Sequence, residues 1–134
     1  MDSENARLVA SQLGRALAVW GGGSVVAGAI AAATSSRPMV RAFGMQTAEW
    51  GAIDLAIAGV ASRLRTPTSS KLRKILLVNV GLDVGYILGG AYLVARRPRF
   101  AGRITADVAR ANGVAVVIQG AALLVLDTTH VRKL

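Results

Sequence analysis

Four long apolar runs alternate with short, basic connections along this chain, and the alternation predicts four helices that cross a membrane. The runs cover residues 13–34, 45–62, 75–95 and 112–129. About 20 apolar residues at 1.5 Å each span a ~30 Å hydrocarbon layer, and every run has close to that length. No apolar/polar alternation of period two occurs, and each run is roughly twice the ~9–11 residues of a barrel strand. The polar start, residues 1–12 with Asp2, Glu4 and Arg7, reads as a short interfacial helix ahead of the first run. A cleaved leader is the lesser reading of that first run, which exceeds the ~7–15 residues of a leader's apolar segment.

Composition narrows the picture. Of the 134 residues, 53% are hydrophobic but only 4% aromatic, with a mean hydropathy of +0.48. Ala, Val, Leu and Gly supply the apolar character, as membrane helices allow because small residues let backbones approach. Sixteen Lys and Arg against seven acids give a net charge of +9, yet the cations lie almost wholly between the runs. That is the placement of membrane loops and snorkelling ends, not of a nucleic-acid-binding stripe. The expected surroundings are a lipid bilayer, with no nucleic-acid partner.

An even number of crossings puts both termini on one side, so the fold expected is all-α, a transmembrane four-helix bundle in one domain. The terminus side would carry Arg7, Arg15, Arg63, Arg65, Lys71, Arg73, Lys74, Arg132 and Lys133. The other would carry Arg37, Arg41, Arg96, Arg97, Arg99, Arg103 and Arg110. The excess of two, with the acid-free basic loop 63–74, favours termini in the cytoplasm.

Small residues suggest how the helices pack. Gly81, Gly85 and Gly89 form a GxxxGxxxG stripe on the third run, which suits close contact within the bundle or between two copies. Gly23, Ala27 and Ala31 repeat the pattern on the first.

The polar residues inside the runs carry the chemistry. A charge at mid-bilayer costs ~2.5–3.5 kcal/mol on insertion scales, so each must be neutral, paired or facing water. Asp54, Asp83 and Gln119 fall at similar depth, with Asn79, Asp127 and Arg15 nearer the terminus side and Glu49 toward the opposite surface. Asn79, Asp83 and Tyr86 share one face of the third helix. Asp83 is expected to point inward and meet a polar side chain of another helix, with Gln119 and Asp54 as candidates and Tyr86, one turn along the same helix, as a further donor. Were that partner an acid, one of the two would carry a proton. Arg15 is expected to pair with Asp127. Two readings stay open: a structural hydrogen-bond network, or a proton or cation site.

Other chemistry is sparse. There is no cysteine, and the single histidine, His130, sits in a basic tail and reads as solvated. No phosphate loop, nucleophile–base pair or metal-ligand spacing is present, so neither an enzyme nor a cofactor or metal is expected.

The segments KLRKILLVNVGLDVGYILGGAY (71–92), VIQGAALLVLD (117–127) and WGAIDLAIAG (50–59) resemble a bacterial family of small four-helix membrane proteins of unknown function. The resemblance implies four helices and draws attention to Asn79, Asp83, Tyr86, Gln119 and Asp127. That family has aromatic residues where Leu124 and Leu126 stand here. It implies no activity. The expected role is therefore a non-enzymatic membrane subunit or scaffold, acting as a homodimer or with a membrane partner. The alternative is a small proton- or cation-coupled transporter using the buried acids.

Overall fold

A computed structural model describes residues 2–98, 102 and 105–134. The described residues form four helices and no strand: α1 (Asp2–Thr34), α2 (Pro38–Arg63), α3 (Ser69–Arg96) and α4 (Ala106–Val131). Arg99 and Arg103 of the basic connection lie outside them.

Each boundary has a local cause. Pro38 opens α2 and holds Arg37 in extended backbone, φ −77° and ψ 121°, as the residue before a proline prefers. The Thr68 and Thr105 side chains accept from the backbone N–H of Lys71 and Val108, capping α3 and α4. Arg97 ends α3 in the left-handed region at φ 47°.

The first ten residues correct the expected interfacial helix, because α1 runs unbroken from Asp2. At 33 residues it is ~50 Å long and outreaches the hydrocarbon layer. Its first turns pack on the other helices: Ala6 joins Leu72, Leu76 and Val131 in an apolar cluster that ties the starts of α1 and α3 to the end of α4. The Asn5 side-chain amide donates to the Lys133 carbonyl at 2.9 Å. Both termini therefore lie at one end of the bundle.

Two antiparallel hairpins make the body. In α1/α2, Gly21 faces Gly51 and Gly28 faces Gly44, so closely that a Cβ on any of the four would collide with opposing backbone. In α3/α4, Gly90 meets Gly113, and Gly120 lies against the backbone of Asp83. The contact glycines recur every seven residues, the period of helices packed nearly in line. The expected stripe is not used this way. Gly81, Gly85 and Gly89 have open space where their side chains would be, so they face out of the bundle and do not pack within the chain.

The interior is small and polar, the exterior large and apolar. Asp54 and Gln119 are 1% exposed, whereas Val19 is 76% exposed and Leu88 65%. Such an inverted distribution suits hydrocarbon surroundings and not water. Among the described residues three helices are long and apolar enough to cross a membrane: Ser3–Thr34, Ser69–Arg96 and Ala106–Val131. The second, expected to cross as well, falls short. It carries Arg41, Gln46, Glu49 and Asp54, and Glu49 is exposed on its outer face. Yet α2 is as long as α4 and locked along α1 through glycine.

A topology prediction follows from this arrangement. Single Ser3→Cys, Ser36→Cys, Ser69→Cys and Gly102→Cys variants should label with an impermeant thiol reagent in two groups, Ser3 with Ser69 and Ser36 with Gly102. Labelling of Ser36 from the same side as Ser3 would mean that α1 or its hairpin does not cross.

Candidate functional site

The helices are unevenly spaced, and the site lies in the gap. α2 packs on α1 and α4, and α3 packs on α4, but α2 and α3 make no close backbone approach. A cavity of about 380 Å³ fills the space between them at the terminus end. It reaches from the α2–α3 loop, where Arg65 lines it, to Trp50 and Tyr86. Those two rings close its deep end edge-to-face, with centroids 4.9 Å apart and planes at 72°. Leu64 and Trp50 are fourteen residues apart, so the cavity is ~20 Å deep.

Three carboxyl groups reach this cavity from three helices: Asp54 from α2, Asp83 from α3 and Asp127 from α4. All three are buried, at 1%, 2% and 7% exposure. Their positions follow from the packing register. Gly113, Gly120 and Asp127 continue one seven-residue line on α4, and Leu76, Asp83 and Gly90 another on α3. The contact face that brings the backbones together thus delivers both aspartates to the same interface. Their carboxyl groups stand within hydrogen-bond reach of each other. Carboxylates only accept, so a hydrogen bond between two carboxyl groups requires that one of them carry a proton.

Two carboxyl oxygens at the cavity are without a partner. Asp54 Oδ2 and Asp83 Oδ2 are buried and make no hydrogen bond. An unsatisfied buried acceptor costs about 1–3 kcal/mol, which a purely structural network would avoid. Asn79, half-buried, also lines the cavity, as does Tyr86. Among the described residues no three His, Cys, Asp or Glu side chains are grouped closely enough to hold a metal ion.

The expected set divides. Asp83, Asp54, Asp127, Asn79 and Tyr86 come together around the cavity. Gln119 does not join them: its Oε1 accepts from the Trp20 indole at 2.8 Å and its amide donates to Ser24 Oγ at 3.2 Å. This separate network staples α1 to α4, and no sequence signal marked Trp20 or Ser24 for it. Glu49 is exposed on α2, away from the aspartates. Arg15 is exposed on the outer side of α1, so the expected pairing with buried Asp127 does not form. His130 is buried rather than solvated, its Nδ1–H donating to the Leu126 carbonyl at 2.6 Å. Trp50, missed as a site residue, was marked only by its place in the resembling segment 50–59.

Comparison with known proteins adds a family and no activity. Neither the curated proteins nor the solved structures provide a match. A model of the family of unknown function DUF6992 matches residues 16–128, which include the three aspartates and both glycine-packed hairpins. The chain is a member of that family, DUF6992.

Proposed function

We propose that this protein is a small, non-enzymatic membrane protein that binds a proton or a small organic cation in the cavity between α2 and α3. The observation that carries the reading is the pair of buried, unpartnered oxygens on Asp54 and Asp83, in a cavity that Asp127 also lines. Intramembrane acids that face a cavity are the groups expected to bind ions or protons. Trp50 and Tyr86 at the deep end add aromatic rings, whose electron-rich faces attract an organic ammonium ion. A cation entering such a site would exchange for a proton carried by these acids, which couples one movement to the other. The cationic segment 63–74, the α2–α3 connection and the first turns of α3, favours termini in the cytoplasm, and the cavity then opens on the cytoplasmic side of a cell membrane.

Reconstituted vesicles test it. A gradient of a small organic ammonium ion should drive proton movement, and Asp83→Asn should reduce it to the background of empty vesicles. Flux unchanged by that substitution would remove the carrier role. A second reading, a subunit or scaffold, is favoured by the outward face of Gly81, Gly85 and Gly89, which suits a second copy or a membrane partner. Co-purification of a partner or a dimer in mild detergent supports it, and a strictly monomeric species removes its main support.

A further inference from the structure

Arg15 needs a different account from the ion pair expected of it. It stands exposed on α1, and a groove opens on each side of it. One lies between α1 and α2, about 740 Å³, bordered by Arg7, Ser11, Arg15, Ala18, Ala58 and Gly59 among others. The other lies between α1 and α4, about 590 Å³, with Arg15, Val19, Trp20, Ala122 and Val125 in its walls. No acidic residue lines either. Below Arg15 the walls are almost entirely apolar.

The register of α1 sets these groups in order of depth. Arg7, Ser11 and Arg15 are at i, i+4 and i+8, one face of the helix. Ala18, Val19 and Gly22 continue that face inward, and Gly22 has open space where a side chain would be. Arg15 is nineteen residues from Thr34, ~28 Å along the axis, which is the edge of a ~30 Å hydrocarbon layer. Arg7 stands ~12 Å further out, among headgroups.

We propose that an anionic phospholipid sits astride α1, its phosphate on Arg15 with Arg7 above it and one acyl chain in each groove. Two guanidinium groups at headgroup level, without a competing carboxylate, supply the charge complementarity. The paired troughs explain why the lipid needs two chains, since a single-chain lipid fills one side alone. The α1–α2 groove shares wall residues such as Ala10, Ala58 and Leu64 with the aspartate cavity, but no aspartate lines it, and the lipid needs no ligand bound at the acids.

Native mass spectrometry of the full chain tests it, after delipidation and incubation with equal amounts of phosphatidylglycerol and phosphatidylcholine of the same acyl chains. One phosphatidylglycerol should be retained per chain, with a preference of roughly fivefold for each arginine engaged. Arg15→Gln should lower the ratio roughly fivefold, Arg15→Lys should keep most of it, and Arg41→Gln at the other end of α2 should leave it unchanged. Lysophosphatidylglycerol should compete poorly in the unmodified protein, a readout that holds even if Arg15→Gln fails to fold. Equal retention of the two lipids, an equal loss in Arg41→Gln, or full competition by the single-chain lipid would overturn the proposal.

Discussion

Gly44→Ala should lower the stability of the bundle by about 3 kcal/mol, at the upper end of the usual cost of overpacking. In an ordinary helix the same change is favourable, because alanine outranks glycine by ~1 kcal/mol in helix propensity. Here the added Cβ would sit 2.6 Å from the Gly28 carbonyl oxygen and 2.8 Å from the Ala32 nitrogen. Both are backbone atoms of an opposing helix and can yield only if α1 and α2 separate. Gly28→Ala should behave alike, since its Cβ would meet Gly44 and Ala48 backbone. Gly22→Ala, one position from a contact glycine but facing open space, should instead gain up to ~1 kcal/mol. Reversible unfolding in mixed micelles distinguishes the three variants. Equal effects at Gly44 and Gly22 would mean that the hairpin is not closed through glycine.

The second large effect separates binding from structure. Asp54→Leu should raise stability by about 1–3 kcal/mol, the cost of the buried acceptor it removes, while abolishing cation-driven proton movement. Asp54 is 1% exposed with an unpartnered oxygen, and the adjoining cavity of about 380 Å³ leaves room for the larger side chain. Buried polar groups that hold helices together behave in the opposite way, because their removal strands a partner. The same micelle unfolding, run beside the vesicle assay, reads both quantities. Destabilisation by Asp54→Leu would assign Asp54 to a structural network and weaken the binding reading.

The sequence made the four helices legible, because hydropathy runs and basic connections report directly on where a chain meets lipid. It was less clear at α1, where Asp2, Glu4 and Arg7 look like a break. The apolar set Ala6, Ala10 and Leu13 recurs at helical spacing through that stretch and marks the face that packs on Leu72 and Leu76. The glycines misled for a geometric reason. Spacing of four in Gly81, Gly85 and Gly89 suggests a close crossing, but these helices pack nearly in line, and contact returns every seven residues. Gly21 with Gly28, Gly44 with Gly51 and Gly113 with Gly120 carry that period. Reading the same period would have placed Asp127 beside Asp83, because Asp127 continues the Gly113–Gly120 line. Depth alone could not separate Gln119 from the aspartates. Its partner is an indole on α1, and which way a side chain turns around a helix depends on neighbours that one sequence leaves open.

The claim at the centre of this account is that Asp54, Asp83 and Asp127 form one cation-accessible site inside the bundle. A hydrophobic carbodiimide tests it most directly, because it reaches membrane interiors and reacts with carboxyl groups that carry a proton. Peptide mapping should find the modification on Asp83 or Asp127, and a small organic ammonium ion should slow it. Any modification of Glu49, which is exposed on the outer face of α2, should proceed at the same rate with or without the ion. Aspartates that stay unmodified, or that react at a rate no cation changes, would contradict the site.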